Sequence, residues 1–94
     1  MILGLLTVET HLPSAHSLKD KRRILRKVID RIRHRHNVSI AEIGNNDIWQ
    51  RASLAISMVS NDAAFVNSAL SKIVNEIERT LEGEILDYEI DLGR

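Results

Sequence analysis

The chain has no cysteine, one proline and only three aromatic residues, one each of Phe, Trp and Tyr. The missing cysteine excludes a disulfide framework, thiolate metal ligands and thiol nucleophiles, and it suits a reducing cytoplasm. With so few aromatics, the strands lack the stacking platform on which RNA-recognition sheets hold bases. No apolar run approaches the ~20 residues that a membrane span needs. The apolar opening, residues 1–6, is not preceded by the charged segment of a secretory signal. A Gly-rich phosphate loop, a nucleophile elbow and a GXXG clamp are also missing, so no catalytic residue, cofactor or metal ligand is nominated. The four histidines, His11, His16, His34 and His36, lack the spacing of a zinc motif.

What is present is a 94-residue chain, 44% hydrophobic, with a formal net charge of zero. That is one domain over residues 1–94, with enough apolar material for its own core. The zero conceals a separation of charge. Residues 16–36 hold nine lysines and arginines against Asp20 and Asp30, whereas residues 72–94 hold seven carboxylates against three cations. A basic face and an acidic face follow, and the basic one attracts anions whatever the sum.

Apolar periodicity sets the elements. Residues 2–12 alternate, with Leu6, Val8 and Leu12 on one side and Thr7, Glu9 and His11 on the other, as a half-buried strand does. Residues 17–36 switch to a helical stripe of Leu18, Leu25, Val28, Ile29 and Ile32, opened by the weak capping box Ser17–Asp20. A second strand is expected over 38–43, turn chemistry at 44–47 and a third strand over 48–59, with Trp49, Arg51, Ser53 and Ser57 facing outward. Ser60, Asn61 and Asp62 cap a second helix with Phe65, Val66, Ala69, Leu70, Ile73, Ile77 and Leu81 inward and Gly83 as its C-cap. The last strand, 84–92, points Leu86, Tyr88, Ile90 and Leu92 inward and Ile85, Asp87, Glu89 and Asp91 outward. The order βαββαβ predicts an α+β, ferredoxin-like sandwich: an antiparallel sheet in the order 4-1-3-2, with two helices on one face.

That topology brings the turn between strand one and helix one to the same sheet edge as the hairpin between strands two and three. The first of these, "HLPSAHSLKDKRR", puts four cations into the first seven residues of a helix. The helix N-terminus is already electropositive, so each exposed cation there costs roughly 0.3–1 kcal/mol, and a bound anion reverses the sign. The expected anion site comprises Ser17, Lys19, Lys21, Arg22, Arg23 and Arg26. His11, His16, Asn45, Asn46, Trp49, Gln50 and Arg51 form the adjoining surface. On the helical wheel Lys19, Arg22, Arg26 and Arg33 share one flank.

The stretches "PSAHSLKDKRR", "NVSIAEIG", "DIWQRA" and "VSND", at these separations, resemble the YlxP-like family of small bacterial proteins of unknown function. The resemblance runs from Gly4 to about Leu81. Ser14 departs from it, standing where many relatives have glycine. The resemblance implies a ferredoxin-like fold and genes lying near those for ribosome assembly and translation initiation. It carries over no catalytic residue.

The leading expectation is therefore a cytoplasmic, non-enzymatic protein that associates with RNA or a ribosomal particle through phosphate. The alternative is a homo-oligomeric module in which the open sheet face and acidic last strand meet the basic helix of another copy. A third reading, an enzyme acting on a phosphate or acyl-phosphate ligand, lacks its signature loop after strand one.

Overall fold

A computed structural model describes residues 1–45 and 47–93. The elements follow the expected order: β1 (Ile2–His11), α1 (Leu18–Arg35), β2 (Ser39–Ile43), β3 (Arg51–Ser60), α2 (Ala63–Thr80) and β4 (Glu84–Gly93). The strands form one antiparallel sheet in the order β2-β3-β1-β4. This is the 4-1-3-2 arrangement, with β2 and β4 at its edges.

The core lies between the sheet and both helices. Leu6 and Val8 of β1, Leu54 and Ile56 of β3 and Ile40 of β2 meet Ile24, Leu25, Val28 and Ile32 of α1 and Val66, Leu70, Ile73 and Ile77 of α2. Burying each large aliphatic side chain contributes about 1.5–3 kcal/mol before the entropy of ordering is counted. Gly4 lets α2 approach β1: a Cβ there would lie 2.3 Å from Val66 Cγ1. The one buried hydroxyl on the inner face of β1, that of Thr10, donates to Ala52 O at 2.8 Å.

Both helices are capped. Ser17 Oγ accepts from the Asp20 amide at 3.0 Å, while Asp20 Oδ2 accepts from the His16 amide at 3.0 Å, so the return bond falls one residue before the cap. At α2, Asp62 Oδ1 accepts from Ala64 N at 2.9 Å.

Four details depart from the sequence expectation. In β4 the register with β1 slips between Glu9 and Thr10, so Ile85 pairs Thr10 and Asp87 pairs Glu9. Leu86 is the extra residue of a bulge, and the bulge reverses the parity before it. Ile85 therefore packs against the core while Leu86 is exposed. Tyr88 and Leu92 keep the inner parity but stay exposed, because they sit on an edge strand at the margin of α2. Phe65 is 56% exposed, since the buried stripe of α2 runs through Val66, Leu70, Ile73 and Ile77 and leaves it on the flank. Gly83 is not the C-cap. Leu81 holds that position with φ −72°, and Gly83 is needed because a Cβ there would lie 2.4 Å from the carbonyl oxygen of His11.

The largest departure is Lys21. It is 2% exposed, one of the most buried side chains of the protein. Its Nζ donates to Asn45 O at 2.6 Å and Ile48 O at 2.8 Å. Glu42 Oε2 lies 2.8 Å from the same nitrogen, making an ion pair without hydrogen-bond geometry. The ammonium thus ties α1 to the loop between β2 and β3. Lys21 precedes Leu25 by four residues and Val28 by seven, so it stands in the apolar stripe itself.

Replacing Lys21 by Ala leaves two loop carbonyls and a carboxylate without their cation. The expected loss is about 3–5 kcal/mol, read as a lower urea midpoint. The double variant Lys21→Ala/Glu42→Ala loses less than the sum of the singles, because the carboxylate no longer lacks a counterion. Gly44 (φ +63°) has open space around it and Gly83 (φ +156°) faces a backbone carbonyl, so Gly83→Ala destabilises more than Gly44→Ala in the same titration.

Candidate functional site

The corner foreseen from topology exists. Leu12 N donates to Gln50 O at 2.9 Å, and Ala15 N closes the Pro13–Ser14 turn on Leu12 O at 3.1 Å. The Gln50 amide donates to Pro13 O and Ala15 O, each at 3.2 Å. Gln50, expected on a binding surface, is thus a strut between the two loops. His11 Nδ1 meets Glu84 Oε1 at 3.1 Å, which ties the end of β1 to β4. His16 is exposed beside the first turn of α1. The Ser17 oxygen serves as helix cap, so its role is local.

Loop residues 44–45 and 47–50 lie beside the N-terminal half of α1, held there by Lys21. Trp49, expected in a strand, belongs to this loop and is 51% exposed, next to the equally open Ile48. β3 begins only at Arg51 because Gly44 and Asn45 take positive φ and the turn is longer than the sequence suggested. Asn45 Nδ2 donates to Ser53 Oγ at 3.1 Å, and its carbonyl holds Lys21. Arg51 is exposed opposite His11 and meets no carboxylate among the described residues. Asn46 lies outside the described residues.

The nine cations of α1 divide by position. Lys21 is internal. Arg23 approaches Glu82 at 3.7 Å, and the same carboxylate accepts from Ser14 Oγ at 2.8 Å. That Ser14 hydrogen bond, reinforced by the Arg23 and Lys27 charges, outweighs desolvation and holds the Glu82 carboxyl below its ordinary range. At the far end Arg35 Nε pairs with Glu76 Oε1 at 2.9 Å, and His36 Nε2 meets the other oxygen of that buried carboxylate. A cation at a helix C-terminus is favoured by the dipole, and here Arg35 also neutralises a carboxylate that α2 has buried. Arg33 donates to Ile40 O at 3.1 Å, on the free edge of β2.

Lys19, Arg22, Arg26, Lys27 and Arg31 remain. All five are exposed, and among the described residues none has a carboxylate within ion-pair distance. Arg22 and Arg26 also line an open groove of about 340 Å³ between α1 and β2, together with Arg33, Leu25, Ile29 and Glu42. The flank read from the helical wheel is thus a surface feature. Asp20 and Asp30 are the acidic residues on that side of α1.

Sequence reasoning missed two participants. Glu76 was read as part of an acidic region but is 6% exposed and gathers the end of α1. Its only sequence signal is its place one residue before Ile77, inside the apolar stripe of α2. Lys21 gave the same kind of signal.

The comparisons with known proteins support this fold and place the chain in a family. The family model described as "Protein of unknown function (DUF503)" matches residues 3–90. The uncharacterized protein YlxP of Bacillus subtilis (strain 168) is 36% identical, with 85% of this chain and 94% of the relative covered. Among solved structures, a de novo designed protein with ferredoxin fold is similar at a TM-score of 0.54 and 17% identity, over 99% of this chain and 83% of that one. A C-terminal segment of the alpha subunit of aIF2 from Pyrococcus abyssi is similar at a TM-score of 0.50 and 19% identity, over 100% of this chain and 49% of that one. Both likenesses concern the fold alone. A model match over nearly the whole chain and a relative at this identity place the protein: it belongs to the YlxP-like family of proteins of unknown function, DUF503.

Proposed function

We infer that the exposed cations of α1 bind the phosphate backbone of RNA, and that the protein works as a non-enzymatic RNA- or ribosome-associated factor. The observation that carries this reading is the set Lys19, Arg22, Arg26, Lys27 and Arg31, exposed and without a carboxylate partner among the described residues. Lys19 to Arg31 spans ~18 Å at 1.5 Å per residue, a length over which one nucleic-acid strand carries about five phosphates. Lys19, Arg22 and Arg26 fall within about 60° of one another around α1, and Lys27 and Arg31 lie on the other side of its outward surface. The N-terminal members stand where the helix dipole disfavours them, and a phosphate beside them removes that cost.

Affinity on this reading is electrostatic and specificity modest, because phosphate contacts position a strand without reading its bases. Exposed Trp49 on the adjoining loop supplies a face on which one base can stack. Among the described residues no helix is long and apolar enough to cross a membrane, and the lack of cysteine fits the reducing cytoplasm where RNA and ribosomes are found.

Titration of a fluorescent single-stranded RNA and of purified ribosomal subunits tests the reading. The wild type binds at low salt, with log K falling against log[salt] at a slope of about −3 to −3.5 for four to five contacts. Arg22→Gln and Arg26→Gln each make the slope shallower by about 0.7. Arg22→Glu/Arg26→Glu loses retention at moderate salt while its circular dichroism stays that of the wild type. Wild-type protein that ignores both RNA and ribosomal subunits at low salt overturns the reading, as does unchanged binding by the charge-reversed variant.

A further inference from the structure

The face of the sheet opposite the helices is bare. At its outward positions β1 offers Leu3, Leu5 and Thr7, β3 offers Ala55, Ser57 and Val59, and β2 offers Ser39, Ala41 and Ile43. None of these nine carries a charge, and Leu3, Leu5, Ile43 and Val59 are 39–60% exposed. Thr7, Ala41, Ala55 and Ser57 between them are small. Charges on this face occur at one end, around Glu9 and Arg51, and along the edge strand β4 as Asp87, Glu89 and Asp91.

We propose that this open face is the interface of a homodimer, two sheets packed face to face with the two-fold axis running along the strands. Three observations select a second copy. The first is area. Three ten-residue strands and one of five, spaced ~4.8 Å apart, present roughly 550 Å² each, or about 1,100 Å² for a pair, near the lower bound of stable interfaces.

The second is charge. An axis perpendicular to the strands sets β4 against β4 and confronts the two rows of Asp87, Glu89 and Asp91. An axis along the strands places each row over the partner's β2, whose outward residues are neutral. At the β2 edge stands Arg33, hydrogen-bonded to Ile40 O. The acidic strand of one copy thereby reaches a guanidinium of the other.

The third is that the acidic row repels phosphate and the uncharged centre has no aromatic ring, so the face is unsuited to a nucleic acid. Dimerisation covers the apolar centre of the sheet and leaves α1 of both copies on the outside. It is independent of the RNA reading, and each can fail without the other.

Sedimentation velocity on the full chain tests this. Wild type sediments as a dimer at submillimolar protein. Leu5→Lys and Ala55→Arg put a cation at the centre of the contact and weaken association by more than about tenfold. Their circular dichroism stays that of the wild type, because both positions face away from the core, while the thermal midpoint falls only by the stabilisation that association gives the wild type. Should Leu5→Lys fail to fold, Ala55→Arg carries the test. Arg22→Glu/Arg26→Glu remains dimeric. The variant Glu89→Gln/Asp91→Asn dissociates more readily, having lost its attraction to Arg33 of the other copy.

A monomeric wild type overturns the proposal. So does a dimer that survives both central substitutions, since it forms by another surface. Tighter association of Glu89→Gln/Asp91→Asn overturns the assigned axis.

Discussion

A buried ammonium needs partners from more than one segment, and in this protein that need organises the corner. Lys21 holds two loop carbonyls and faces one carboxylate, so α1 has a fixed rotation about its own axis and the β2–β3 loop has a fixed place against it. At 100° per residue, turning Lys21 inward turns Lys19, Arg22, Arg23 and Arg26 outward. The cation that is unavailable to a ligand is therefore the reason its neighbours are available. A loop of residues 44–50 without that anchor would leave Trp49 and Arg51 undefined relative to the helix.

The helix then treats its charges differently along its length. At its C-terminal end Arg35 and the His36 ring close on buried Glu76 and Arg33 on a strand carbonyl, so those side chains serve the fold. In its N-terminal half the buried Lys21 pairs with Glu42, and of the exposed cations only Arg23 finds a carboxylate among the described residues, at 3.7 Å, in a pair open to water and worth little. Cations gathered where the dipole opposes them and where the chain supplies few counter-charges make an electrostatically unsatisfied surface. The acidic residues that could have balanced it lie on β4, across the sheet.

Much of this was legible in the sequence, for reasons that differ by element. β1 and β3 alternate cleanly, α1 and α2 carry long apolar stripes, and turn residues separate them, so the order of elements and the sheet topology followed. The corner itself was legible because topology alone makes those two loops neighbours. Local parity was less secure. The bulge at Leu86 is a pairing event between β4 and β1, invisible to a single strand's alternation, and it exchanged the faces of Ile85 and Leu86. Phe65 lost its place because helix packing chose a stripe one residue away. Lys21 was read as a ligand group because lysine is ordinarily exposed, although its spacing from Leu25, Val28 and Ile32 put it with the core. Gly83 shows a similar limit: its reason is a carbonyl of His11, far off in sequence.

The account's central claim is that the outward flank of α1 is the surface that meets RNA. The most direct measurement is an NMR titration of the isotope-labelled protein with a short single-stranded RNA, following every backbone amide. The account predicts shifts concentrated on residues 18–31 and the neighbouring loop 47–51, with β4 and the outward positions of β1 unmoved. Shifts centred on the open sheet face, or none at low ionic strength, would contradict it.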